Sequence, residues 1–202
     1  MKRTLTKTTD RIIANNLNAW LSQATWRNIC AGKRWYKEAQ SFTKKVSKKY
    51  KVDKYIVAAV VSALSPNNKW IRNKQDAESM IDAFKSGRSI DSFKCCTYNA
   101  NKRKAWAILH EDVTLVAKSP KTHSFAMNIG RLSDKHVTID KWHIRACLCK
   151  PREGIVDTVE SITATQYRRI EAITARIAEE HKIKAYEAQA IIWVTIKEGW
   201  NR

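Results

Sequence analysis

The sequence predicts an all-α protein, because helical periodicity dominates it and the residues that usually separate strands are scarce. Its 202 residues include only five glycines and three prolines, whereas strands joined by tight turns usually need more of both. Apolar residues recur at the three- and four-residue spacing of a helix face. We expect a single domain built as two helical lobes with a cleft between them.

The N-terminal half of the chain predicts four helices. Two amphipathic helices are expected over about 10–30 and 34–49, the second with lysines on its outer side. The segment 54–66 is apolar almost all round, which is typical of a buried central helix, and Pro66 ends it. The next helix is expected to reach about Phe84.

The C-terminal half predicts shorter helices first and two amphipathic helices last. A Pro/Gly/Glu-rich patch separates the two groups and predicts a linker. The helices are expected over about 99–110, before Gly130, after Asp140, over 164–181 and over 184–198, with the linker near 151–163.

The charge of the chain favours a polyanionic partner. Lys and Arg total 38 against 19 Asp and Glu, a formal net charge of +19. A basic surface attracts nucleic acid first and an anionic membrane surface second. No apolar run approaches the roughly 20 residues of a membrane span, and the first 16 residues lack the apolar region of a secretory signal. We therefore expect a cytoplasmic protein.

The cysteines predict reduced, mostly buried thiols rather than a metal site. There are five of them, and their spacings are CC and CxC. Neither spacing matches a zinc site, which usually needs CxxC or paired Cys and His residues. We expect no metal ion and no cofactor.

Four segments occur in a recognisable order: VVSALSPNNKW (60–70), YNANKRKAWAIL (98–109), SPKTHSFAMNIG (119–130) and VTIDKWHIRA (137–146). This order resembles the helix-hairpin-helix DNA glycosylase superfamily, in particular its endonuclease III-like branch. The similarity covers about 52–150 and implies a glycosylase-like core there, with 1–51 and 151–202 as flanking helices that form the second lobe. The whole chain also resembles an uncharacterised group of small bacteriophage proteins, which would place it in the cytoplasm of the host cell. The matching residues are 62–65, Tyr98, Asn99, Lys104, Ala105, Lys121, Thr122, Ile139, Asp140 and Arg145.

The chain departs from this pattern at the hairpin. The segment AKSPKTH (117–123) lacks both glycines that bring backbone N–H groups close to a DNA phosphate in the family. The four-cysteine iron–sulfur loop of many relatives is also absent. The chain must therefore contact the phosphate differently or lose the contact.

Asp140 is an acid in a strongly basic chain, and the resemblance implies that it is the catalytic carboxylate. A nearby carboxylate stabilises the positive charge that develops on the sugar when an N-glycosidic bond breaks. The alternative is that Asp140 only caps the following helix, a stabilisation of about 1 kcal/mol. The two roles are compatible.

Lys121 is the nucleophile that the resemblance implies for abasic-site lyase activity. An amine that attacks sugar C1′ near neutral pH needs desolvation or cationic neighbours. The alternative is a solvated lysine in the first turn of a helix.

The turn after the buried helix is the candidate for filling the gap left by a flipped-out nucleotide. Asn67, Asn68 and Lys69 occupy that position, and Trp70 either stacks on a base or packs in the core.

Five cations are candidates for contacts with DNA phosphates. Lys141 and Arg145 follow Asp140, although Arg145 could instead pair with a carboxylate of another helix, and His143 between them is expected to be structural. Lys102, Arg103 and Lys104 form a second patch, whose alternative is a merely solvated face.

We therefore expect a monomeric DNA glycosylase that flips a nucleotide out of duplex DNA and contacts the backbone without sequence preference. The sequence does not decide whether an abasic-site lyase step accompanies base excision. The alternative is a non-catalytic DNA- or RNA-binding phage protein that retains the fold. The sequence does not identify the excised base.

Overall fold

The computed structural model describes residues 4–95, 98–151, 153 and 161–200. Within those ranges every regular element is helical, which confirms the predicted all-α class. Two short 3₁₀ turns, Leu5–Lys7 and Ile90–Ser92, accompany the α-helices. The α-helices are α1 Asp10–Ser22, α2 Trp26–Tyr50, α3 Lys54–Leu64, α4 Trp70–Lys85, α5 Asn99–Leu109, α6 Thr114–Ala117, α7 Pro120–Ile129, α8 Lys141–Leu148, α9 Ala164–Glu180 and α10 Ala185–Trp200.

The first predicted helix ends earlier than expected. Thr25 donates from its N–H and its hydroxyl to Asn28 Oδ1 (2.9 and 2.6 Å), and Asn28 N–H donates back to Thr25 Oγ1 (3.2 Å). This reciprocal bonding resembles a capping box and starts α2 at Trp26. The helix then continues through Gly32, where the sequence predicted a break. The short helix α6 was not predicted, and the predicted linker 151–163 lies largely outside the described residues.

The chain divides into two compact units. The terminal unit comprises Met1–Lys37 and Ser133–Arg202, and the central unit comprises Glu38–Leu132. These bounds differ from the predicted core of 52–150 with a flanking lobe. The second half of α2 belongs to the central unit, where Gln40 Nε2 donates to Asn128 O (2.9 Å), and α8 belongs to the terminal unit.

The central unit is organised around α3, which confirms the predicted buried helix. All eight residues of Val57–Leu64 are buried, and α4, α5 and α7 pack around them. Asp53 begins the helix by accepting from Tyr55 N and Ile56 N through Oδ1. An apolar helix of this kind is stable in water only when other helices cover it on several sides.

The terminal unit packs α1 against α8, α9 and α10. Two buried side chains of α1 bond to backbone carbonyls at the end of α8: Asn16 Nδ2 donates to Cys147 O (2.8 Å), and Trp20 Nε1 donates to Cys149 O (2.7 Å). These bonds satisfy carbonyls that the helix end itself leaves without partners. They fix the position of α8, which carries Asp140 at its start.

We predict that Gly32→Ala destabilises the terminal unit by about 1–3 kcal/mol, the usual cost of overpacking. A Cβ at Gly32 would lie 2.7 Å from the Ile191 backbone, so the two helices would have to separate. Gly199→Ala is the matched control, because its Cβ would meet only Trp20 at 3.9 Å and alanine favours the helix. Urea unfolding of both variants tests this, and equal stability of the two would contradict it.

Candidate functional site

Asp140 is the N-cap of α8 and is half-buried. Its Oδ1 accepts from Trp142 N at 3.0 Å and from His143 N at 2.9 Å. The capping role is therefore confirmed. Capping leaves the negative charge in place, and the positive end of the helix favours it, so the bonds hold the carboxylate in one orientation without neutralising it.

The extended segment before Asp140 is held by α9 rather than by a neighbouring strand. Tyr167 donates its hydroxyl proton to Val137 O (2.7 Å) and accepts from Ile139 N (3.0 Å). Glu171 Oε1 accepts from Val137 N at 2.9 Å. Side chains of α9 therefore form hydrogen bonds with the backbone of Val137 and Ile139, and these bonds position Asp140 from its N-terminal side.

His143 is structural, as the sequence predicted. It is fully buried, and its Nε2 lies 2.9 Å from Thr174 Oγ1. Because the Thr174 hydroxyl donates to Ile170 O (2.8 Å), it accepts from His143, so Nε2 carries the proton. Burial lowers the pKa of His143 to about 3.

Arg145 and Lys141 flank the ring of Trp142 at the start of α8. Arg145 Cζ lies 4.4 Å from the ring centroid, and its side chain is only 8% exposed. Lys141 is exposed, with Nζ 5.9 Å from the same centroid. Within the terminal unit Lys141 is therefore the more accessible of the two predicted phosphate contacts.

Lys121 is exposed in the first turn of α7, directly after Pro120 at the N1 position. This turn is fixed to the buried helix, because Ser62 Oγ of α3 donates to Thr122 O at 2.7 Å. The bond brings together two of the four motif segments on which the resemblance depends. Only Lys118 and Ser119 separate α6 from α7, so the two helices form a tight helix–turn–helix.

The turn between α3 and α4 presents some of its predicted residues and buries others. Asn67 is exposed in a left-handed conformation (φ 56°), and its Nδ2 donates to Tyr98 Oη at 3.0 Å. Asn68 instead supports the turn by donating to Leu64 O (3.3 Å) and to the buried Asp76 (3.0 Å). Lys69 is exposed.

Trp70 packs within the central unit, as one of its two interpretations predicted. It is half-buried, and its ring lies 6.4 Å from both Phe42 and Phe125. Lys74 Nζ lies 5.6 Å from the same ring. These contacts give Trp70 a structural role. The sequence alone did not decide between this role and stacking on a base.

The predicted basic patch of α5 separates into three different environments. Lys102 Nζ donates to Phe93 O (2.8 Å) and lies 4.5 Å from the Phe93 ring centroid. Arg103 is exposed. Lys104 is half-buried, and this burial lowers its pKa, with a further contribution from the Lys118 charge.

Two exposed apolar side chains beside the α3–α4 turn were not singled out as contacts from the sequence. Ile71 is 70% exposed and Tyr98 is 63% exposed. Ile71 follows Asn67 by four residues, and the Tyr98 hydroxyl accepts a hydrogen bond from Asn67. Basic residues lie near both in the sequence. Their exposure could not be inferred from helical spacing, because both residues occur in segments that also supply the core.

A groove of about 820 Å³ lies in the terminal unit between residues 134–135, α9 and the start of α10. An ion pair between Lys184 Nζ and Asp134 (3.1 Å) lies at its edge. None of the residues predicted to bind or cleave DNA lines it.

The predicted residues are distributed over both units. Asp140, Lys141 and Arg145 belong to the terminal unit. The other predicted residues, which belong to the central unit, are Asn67, Asn68, Lys69, Trp70, Lys102, Arg103, Lys104 and Lys121.

A family model described as a family of unknown function, DUF7178, matches residues 1–200. The chain belongs to the DUF7178 family. The match spans both units. No curated protein and no solved structure matches the chain.

Two further properties of this DUF7178 chain concern the described residues only. None of their helices combines the length and apolar character needed to cross a bilayer. Among them, no group of three or more His, Cys, Asp or Glu side chains is placed to hold a metal ion.

We predict that acid destabilises the protein in part through His143. The folded-state pKa of about 3 is below the ordinary value of 6.5, so the unfolded chain binds the proton first. The contribution of neutral His143 to the free energy of unfolding is fully present above pH 6.5. It is lost as the pH falls towards 3, at about 1.4 kcal/mol per pH unit. Urea unfolding between pH 7 and 4.5 should show a shallower loss in His143→Gln than in wild type. His110→Gln, at an exposed histidine, is the control and should keep the wild-type slope.

Proposed function

We propose that the protein is a DNA glycosylase of the helix-hairpin-helix type, which binds duplex DNA through its backbone and excises a damaged or modified base. The observation that carries this proposal is the Ser62–Thr122 bond (2.7 Å), which joins α3 to the first turn of α7, where Lys121 is exposed. This is the arrangement expected if the four motif segments are used as in the family that they resemble.

The distribution of exposed cations in the central unit supports DNA binding. Lys69, Arg103 and Lys121 are all exposed, and Lys121 lies at the positive end of α7. A helix N-terminus and nearby cations attract phosphate groups. With a net charge of +19, the protein binds the backbone largely through counterion release, without sequence preference.

Asn67 is the residue best placed to occupy the gap left by an everted nucleotide. It is exposed at the tip of the α3–α4 turn, and Asn68 and Asp76 brace that turn from within the unit. A rigid polar tip loses little conformational entropy when it enters the base stack, which favours nucleotide flipping.

Asp140 is the proposed catalytic carboxylate. Its charge stabilises the oxocarbenium-like sugar as the N-glycosidic bond breaks, and the two backbone bonds to Oδ1 keep it oriented. The reaction requires no cofactor. An additional lyase step requires an amine, for which the sequence predicts Lys121.

A second candidate function is DNA binding without catalysis. The capping of α8 explains the presence of Asp140 without any chemistry, and the hairpin before α7 lacks the glycines of the family. Both functions use the same exposed cations of the central unit and differ in whether Asp140 reacts.

We predict that Asp140→Asn lowers base release by about 100-fold or more, the usual effect of removing one charge-stabilising group. Asn caps a helix as well as Asp does, so folding should be preserved. Asp53→Asn is the matched control, because Asp53 caps α3 through the same pair of bonds. Base release is measured as alkali-labile strand breaks in duplexes that carry uracil, oxidised pyrimidines or hypermodified bases.

Full base release by Asp140→Asn would contradict the catalytic assignment. Duplex binding without base release by the wild-type protein on any of these substrates would favour the second candidate function.

We predict that Lys69→Ala and Arg103→Ala each reduce the slope of log Kd against log salt concentration by about 1. Each variant removes one phosphate contact and therefore one released counterion. Lys85→Ala removes an equal charge from the exposed end of α4 and is the control. Fluorescence anisotropy at several salt concentrations gives the slopes, and an equal decrease in all three variants would show a general charge effect instead.

A further inference from the structure

We propose that the outer face of α2 in the central unit binds the phosphate backbone of duplex DNA and so lengthens the contact beyond the flipped-out nucleotide. Lys44, Lys45 and Lys48, here called the α2 lysine cluster, form this face. The inference rests on the proposed function for the identity of the polyanion. It assigns a binding surface to residues that lie outside the segment resembling the glycosylases.

The three lysines point away from the core because the opposite face of α2 is buried. Thr43 and Val46 lie in the interior, whereas Lys44, Lys45 and Lys48 are exposed. Residues four apart lie one above the other on a helix, and four residues rise about 6 Å. The lysines therefore form a compact cluster of positive charge on one side of the helix.

This clustering destabilises the free helix. Lys44 and Lys48, and likewise Lys45 and Lys49, are like charges at the i,i+4 spacing, where they repel each other. Glu78 Oε1 lies 2.7 Å from Lys49 Nζ, but among the described residues no carboxylate pairs with the three lysines of the cluster. A polyanion supplies the counter-charge, so the repulsion that weakens the helix favours binding.

Side-chain contacts hold this half of α2 against α4. The Phe42 ring lies 6.4 Å from the Trp70 ring at the start of α4, and Lys74 Nζ lies 5.9 Å and 5.6 Å from these two rings. Further along both helices, Lys49 pairs with Glu78. The two helices therefore run in the same direction, and these contacts fix the α2 lysine cluster relative to α4.

The same contacts make the α2 lysine cluster continuous with a phosphate contact of the proposed function. Lys69 is exposed directly before Trp70, and Lys74 adds a cation one turn further along α4. From Phe42 to Lys49 the helix rises about 10 Å. Cations are therefore available over this length, from the α3–α4 turn along α2.

Duplex DNA fits this surface better than a membrane does. One strand of a duplex carries a phosphate about every 3.4 Å along the axis, so a length of about 10 Å faces about three phosphates. A helix that lies on a membrane needs exposed apolar side chains among its cations. In the described positions 38–50 every exposed residue is a lysine, Glu38 or Ser41.

Charge reversal of two lysines tests the inference. In Lys44→Glu/Lys45→Glu each glutamate lies four residues before a lysine, Lys48 or Lys49, which is the orientation that stabilises a helix. We therefore expect the urea midpoint to be retained or raised. The Kd for a duplex of about 20 base pairs, measured by fluorescence anisotropy at about 0.1 M salt, should increase about 10-fold or more. Weaker binding by a protein that is at least as stable cannot result from unfolding.

Lys85→Glu/Lys135→Glu is the matched control, because it changes the net charge equally at two exposed lysines outside the cluster. It should increase the Kd much less. An equal increase in the two double variants would show a general charge effect and would overturn the inference.

Vesicles that contain phosphatidylserine are the second probe. If Lys44→Glu/Lys45→Glu loses more affinity for the vesicles than for the duplex, the α2 face is a membrane contact and the inference is wrong.

These binding measurements do not depend on base release, so the two proposals fail separately. A wild-type protein that releases no base contradicts the glycosylase proposal, while the order of the duplex affinities still decides this inference. Unchanged duplex affinity in Lys44→Glu/Lys45→Glu, with base release by the wild type, overturns the inference and leaves the glycosylase proposal intact.

Discussion

The burial of α3 is the constraint on which the central unit depends. A helix that is apolar on nearly every side has to be enclosed, and α4, α5 and α7 enclose it. Its buried hydroxyl, Ser62, needs a partner inside this shell, because an unbonded hydroxyl in a core costs about 1–3 kcal/mol. Thr122 O supplies the partner and thereby sets the position of α7. The hydrogen bond that satisfies Ser62 in the core therefore also fixes the first turn of α7, in which Lys121 is exposed.

In the terminal unit the equivalent constraint is that the backbone N–H and C=O groups at the two ends of α8 need hydrogen-bond partners. Asp140 accepts from N–H groups at the start of the helix, and Asn16 and Trp20 donate to carbonyls at its end. Tyr167 bonds the extended segment that precedes it. The short helix is thus fixed at both ends by side chains, which gives the carboxylate a defined orientation whether or not it reacts.

The use of the acidic residues connects the fold with the charge of the protein. Half as many acids as bases are present, and several acids are committed to local structure: Asp53 and Asp140 cap helices, and the buried Asp76 braces the α3–α4 turn. Asp76 also forms an ion pair with the exposed Arg72 (3.2 Å). The chain as a whole keeps a formal net charge of +19, which the proposed contact with DNA would use.

The helical periodicity determined the fold class and most helices, because it depends on local spacing alone. The cap at Asp140 and the buried character of α3 were also inferred from the sequence, and both are present. The break before α2 was missed because it depends on hydrogen bonds between Thr25 and Asn28, and the continuation through Gly32 was missed because it depends on close packing against Ile191.

The tertiary structure alone decided which of the predicted site residues are exposed and which are buried or bonded within the protein. Asn67 and Asn68 are adjacent and identical in type, yet one is exposed and the other bonds to a buried carboxylate eight residues away. Lys102, Arg103 and Lys104 are indistinguishable as a run of charge, but burial and neighbouring groups give each a different environment. Exposure and desolvation arise from contacts between segments distant in the chain, and local sequence does not encode them.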